Sequence, residues 1–100
     1  MNSESEIQKQ CLRWLQESGF FATKMHLGAI RVAGRNLPNP MAGAPDIFAL
    51  KNGKYHGIEV KKPGGKLSKT QKIWHQKALL VGGVKIIVVY SLDELIDYFS

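Results

Sequence analysis

A chain of 100 residues is long enough for one hydrophobic core and too short for a second, so one domain over residues 1–100 is expected. Its 14 Lys and Arg against 8 Asp and Glu leave a net charge of +6, and 44% hydrophobic residues exclude the disordered class. Cys11 is the one cysteine, which excludes a disulfide framework or a cysteine zinc site within the chain. No apolar run nears the roughly 18–20 residues of a membrane span, and the polar start MNSESEIQKQ is unlike a signal peptide. A reducing, cytoplasmic setting without a membrane partner is therefore expected.

The elements follow in chain order. Ser3 and Glu6 have capping-box spacing, Ile7, Cys11, Trp14 and Leu15 recur at helical period, and Gly19 stops that first helix. FFATKMH (20–26) is rich in strand formers. Residues 27–45 carry Gly28, Gly34, Pro38, Pro40, Gly43 and Pro45 and are expected as one long loop, of the kind that is functional or mobile. It holds Arg31 and Arg35 and no acid. DIFAL (46–50), KNGK (51–54) and YHGIEVK (55–61) read as strand, turn, strand, and Asn52-Gly53 is the strongest short hairpin signal. PGGK breaks the chain. Ser68 caps a second helix to about Val81, which Gly82-Gly83 ends. VKIIVVY (84–90) suits a strand buried on both faces, and SLDELIDYF closes the chain as a short helix with Ser91 as cap and Glu94 in box position. The order is αβββαβα. A helix lies between the third and fourth strands, so that pair is expected to be parallel and the sheet mixed.

The charge is concentrated in the middle. Between Ser18 and Leu92, twelve Lys and Arg face two acids, Asp46 and Glu59, for a local charge of +10. Such a field draws a polyanion: nucleic acid first, an acidic membrane surface second. A solvated lysine surface has the same composition. The membrane reading lacks a basic amphipathic helix with exposed apolar residues.

The hairpin brings the two acids together. A two-residue type I′ loop at Asn52-Gly53 pairs Lys51 with Lys54, Leu50 with Tyr55, Ala49 with His56, Phe48 with Gly57 and Ile47 with Ile58. Asp46 then falls opposite Glu59, with Cβ atoms about 4.5–5.5 Å apart, where like charges destabilise. Lys61 projects from the same face as Glu59, and Ile58 and Val60 from the other. Two carboxylates so placed imply a shared proton or a shared cation. Oxygen donors without a His/Cys cluster suit Mg²⁺, with Mn²⁺ as substitute. The plainer reading is a structural salt bridge of Lys61 with either acid.

PD at 45–46, followed by EVK at 59–61, resembles the PD-(D/E)xK nuclease motif. GAPDIFAL, GIEVKKPGGKLSKTQ and ALLVGGVKIIVV narrow the resemblance to the VRR-NUC branch, the virus-type replication-repair nucleases, over nearly the whole chain. The resemblance implies a restriction-endonuclease-like α/β fold and a metal-dependent DNA endonuclease of bacterial, phage or prophage type. It implies Asp46, Glu59 and the carbonyl of Val60 as metal ligands, and Lys61 as the group that orients or deprotonates the attacking water. The first-helix glutamate of the family corresponds to Glu4, with Gln8 in support one turn on. Gln71 matches a position facing the site, on a helical stripe with Trp74, His75 and Ala78.

Arg31, Arg35, Lys62, Lys66, Lys69 and Lys72 are expected to meet the phosphate backbone. His56 should face away from Glu59, His26 is a lone histidine, and Trp14 and Trp74 read as core. Standalone members resemble resolvases, so a homodimer acting on branched DNA such as four-way junctions is expected, without a small-molecule cofactor. The alternatives are a structure-tolerant nickase, a restriction-like endonuclease, or a non-catalytic nucleic-acid-binding module that keeps the fold.

Overall fold

A computed structural model of the chain describes residues 3–26, 30–37 and 41–100, with residues 30, 31 and 37 described as backbone only. Helix α1 (Glu4–Glu17) starts where Ser3 Oγ accepts the Glu6 N–H at 3.2 Å, a cap worth about 1 kcal/mol. Its buried stripe is Ile7, Cys11 and Leu15, one side of a helix at four-residue steps. Strand β1 (Phe21–Lys24) follows, then β2 (Ile30–Val32) and β3 (Arg35–Leu37), β4 (Ile47–Lys51) and β5 (Lys54–Val60). Helix α2 (Lys69–Leu80), strand β6 (Ile87–Val89) and helix α3 (Leu92–Tyr98) complete the order.

The main sheet runs β1-β4-β5-β6; its first two pairings are antiparallel and β5 with β6 is parallel. The α/β class, the αβββαβα order of these elements and the mixed sheet all match the sequence reading. The β4–β5 register is the expected one, from Lys51 opposite Lys54 to Ile47 opposite Ile58. Its turn is built by Asn52 (φ 53°) and Gly53 (φ 75°), both left-handed as type I′ demands.

The expected loop over 27–45 is corrected in part. It contains the β2–β3 hairpin, a separate two-stranded sheet turning at Ala33 (φ 50°) and Gly34 (φ 76°). The turn is again of the left-handed pair kind, but alanine seldom adopts positive φ and so carries no hairpin signal. The last strand is also shorter than the VKIIVVY run: pairing starts only at Ile87, with Ile86 buried just before it.

One face of the sheet carries the core. Ile47, Ala49, Ile58, Val60, Ile87 and Val89 meet Ile7, Cys11 and Leu15 of α1 and Leu95 of α3. Burial pushes the Cys11 thiol up to about 11, so it packs as a small apolar group. Trp14, Phe20 and Phe99 close the edge of this core, and His56 packs edge-on against Phe20 and Phe99. The opposite face carries α2. None of its residues is buried, and Ile73, Leu79 and Leu80 are exposed, together with Val81 beyond its end. Exposed apolar groups on a lysine-bearing helix were not expected from the sequence.

Among the described residues no helix is long and apolar enough to cross a membrane.

Candidate active site

The second face gathers the chemistry, because alternation along β5 sends Glu59 there while Ile58 and Val60 enter the core. Asp46 stands at the bend before β4, behind the fully buried Pro45. Its carbonyl accepts the Met25 N–H at 2.7 Å, which continues the β1 pairing, and its Oδ2 accepts the Val60 N–H at 2.8 Å. A carboxylate thus takes the next rung of the β4–β5 ladder and is held against Glu59 and Val60.

Among the described residues Glu59 is the buried charged one, 0% exposed. Its Oε2 accepts from Gln71 Nε2 at 3.2 Å, and its Oε1 lies 3.1 Å from His75 Nε2. Burial pushes its carboxyl up to about 9, helped by a hydrogen bond to Asp46 and by the Asp46 charge, with a smaller push from Glu4 and an opposing pull from Lys61. Burial likewise pushes His75 down, against a pull upward from Asp46. The His75–Glu59 contact has the distance of an ion pair. With the acid raised and the base lowered, it is a hydrogen bond between neutral groups unless a cation ionises Glu59.

Gln71 is oriented by the helix it starts. Its N–H donates to Ser68 Oγ at 3.1 Å and its Oε1 accepts the Ser68 N–H at 2.8 Å, a full capping box. That leaves Nε2 to face Glu59.

Lys61 follows β5, half-exposed, with its backbone N–H still bonded to the Val89 carbonyl at 3.0 Å. Lys62 N–H turns instead to Glu4 Oε2 at 3.3 Å. The chain then reverses: Gly65 N–H donates to the Lys62 carbonyl at 2.8 Å, with Pro63 second and Gly64 (φ 82°) third in a type II turn.

Asp46, Glu59, Val60 and Gln71 are therefore joined through one hydrogen-bonded neighbourhood, with Lys61 and Glu4 in its field, and Glu4 itself bonds the Lys62 N–H. Gln8 sits one turn beyond Glu4, half-buried. Lys62, Lys66, Lys69, Lys72 and Arg35 are exposed. The side chain of Arg31 lies outside the described residues. His56 is on the core face, as its register requires, and His26 is exposed. Sequence reasoning placed His75 on the stripe of Gln71 and gave it no role; i and i+4 share a helix face, but that spacing alone does not name Glu59 as its partner.

Among the described residues no three His, Cys, Asp or Glu side chains form a ready metal site. The donors nevertheless fit a hard divalent ion. Two carboxylates share one small volume, one of them buried and pushed to about 9, and a divalent cation would balance their charge in place of a shared proton.

A mixed sheet with P-D at the head of one hairpin strand and E-x-K at the end of the other defines a nuclease of the PD-(D/E)xK type. The sequence profile of the VRR-NUC domain matches residues 2–92, and the chain belongs to that family. A solved structure titled "VRR_NUC domain" is similar in fold at a TM-score of 0.70 and 24% identity, over 99% of this chain and 100% of that one. No curated protein sequence matches the chain significantly. Family membership makes the protein a nuclease, with DNA as the implied substrate, and nucleases of this kind generally use divalent metal ions.

Proposed function

We propose that residues 1–100 form a Mg²⁺-dependent DNA endonuclease, selective for branched DNA and acting as a homodimer. The observation that carries the metal reading is Glu59: fully buried, crowded by Asp46, and raised to about 9. Asp46, Glu59 and the Val60 carbonyl would hold the ion, with Glu4 approaching from α1, supported by Gln8. When bound, the ion supplies Lewis acidity and a lowered water pKa.

The chain's own groups do the rest. Asp46 is fixed by the Val60 N–H and Glu59 by α2, so the two carboxylates need little reorganisation to act together. The Lys61 ammonium orients the attacking water and offsets charge gathering on the phosphorus oxygens. Lys62, Lys66, Lys69, Lys72, Arg31 and Arg35 meet phosphates in a sequence-independent way. One site per chain means that cutting both strands of a junction takes two protomers.

The test is cleavage of labelled four-way junction, duplex and single strand with Mg²⁺, with Mn²⁺ and with EDTA. Cutting that survives EDTA defeats the metal mechanism. Equal rates on junction and duplex defeat junction selectivity and leave a nickase or restriction-like nuclease. No cutting of any substrate favours a non-catalytic binding module.

A further inference from the structure

We propose that His75 is a positioning residue for the metal-binding carboxylate, holding Glu59 toward Asp46. The inference rests on the reading of Asp46 and Glu59 as metal ligands.

The Glu59 side chain is 1% exposed, and both of its oxygens are met from one helix. Gln71 and His75 stand four residues apart on α2, so one face presents both nitrogens. The His75 side chain is itself only 13% exposed. Since no residue of α2 is buried, these contacts do more than decorate a packed interface. They are polar links between that helix and the sheet.

The type of partner matters. A Lys or Arg at either position would pair with Glu59 and compete with a divalent ion for its charge. An amide and an imidazole orient the carboxylate by hydrogen bonding and leave its negative charge for the ion. The capping box removes any choice at Gln71, because Oε1 is already taken by Ser68 N–H. His75 fixes the second oxygen, so the carboxylate cannot rotate about its last bond away from Asp46. Partners that orient a metal ligand in this way are worth about 10–100-fold in metal affinity.

The experiment is calorimetric titration of Mn²⁺ into the DNA-free protein, with wild type, His75→Gln, His75→Phe, His75→Leu and Asp46→Asn. Gln keeps an N–H donor near the Nε2 position, whereas Phe and Leu keep volume and lose the donor. The expected result is a near wild-type Kd for His75→Gln and about 10–100-fold weaker binding for the apolar variants. A wild-type Kd in either apolar variant, or binding in His75→Gln as weak as theirs, overturns the inference. If neither apolar variant folds, His75→Ala takes their place, and a wild-type Kd in it overturns the inference. Wild type that takes no Mn²⁺, or Asp46→Asn that takes it unchanged, defeats the metal-site reading instead.

Discussion

Glu59→Gln should make the metal-free protein more stable than wild type, and increasingly so as pH rises. Burial pushes the folded carboxyl up to about 9, well above the 4.5 of an unperturbed Glu, so between these values the folded state holds a proton that the unfolded state has released. That part of the stability is fully present below about 4.5 and is lost as pH climbs through about 9. Each pH unit of that window costs wild type at most about 1.4 kcal/mol, or about 3 kcal/mol from pH 6 to pH 8. Solvent reaching Asp46 and Lys61 screens this to roughly 1–2 kcal/mol. Gln is isosteric, can accept from Gln71 and can donate to His75, so its own stability lacks this slope. Urea unfolding in EDTA at pH 6, 7 and 8 measures the gap, and at roughly 1–3 kcal/mol per M it moves the midpoint by about 0.3–2 M. A gap that stays constant with pH would refute a buried, proton-sharing Glu59.

Other outcomes follow from the same geometry. Lys61→Ala should lower cleavage by about 10²–10³-fold while Mn²⁺ binding by calorimetry stays near wild type, because the proposed mechanism has its amine serve the reacting phosphate and not the ion. Asp46→Asn should weaken both, since it alters a proposed ligand and the partner of the Val60 N–H together. Gly43→Ala should destabilise the fold by about 1–3 kcal/mol in urea unfolding. Gly43 has φ 90°, and a Cβ there would stand 2.7 Å from the Thr70 carbonyl at the start of α2. Divalent ions should raise the melting temperature of wild type more at pH 8 than at pH 6, and should barely move that of Glu59→Gln.

Much of the fold was legible because turn chemistry is local. Asn52-Gly53 set the register of β4 and β5 without any tertiary information, and the register set which acids face each other. Serines 3, 68 and 91 marked helix starts for the same reason, and all three accept the N–H three residues on. The β2–β3 hairpin was illegible because its left-handed turn begins with Ala33, which ordinarily avoids that conformation. His75 was illegible as a partner of Glu59 because the contact depends on how α2 lies on the sheet, which helical period alone does not decide. Lys62 lies past the strand: β5 ends at Val60, the Lys62 N–H goes to Glu4, and its carbonyl opens the Pro63-Gly64 turn. The metal reading came from like charges on opposed strands, a conflict that a folded chain keeps only where something balances it.

Anomalous diffraction from a crystal grown with Mn²⁺ tests the central claim most directly. The account predicts a peak between the carboxylates of Asp46 and Glu59, within reach of the Val60 carbonyl, that disappears in Asp46→Asn. A fully occupied peak elsewhere on the chain, with Glu59 still bonded only to Asp46, Gln71 and His75, would contradict it.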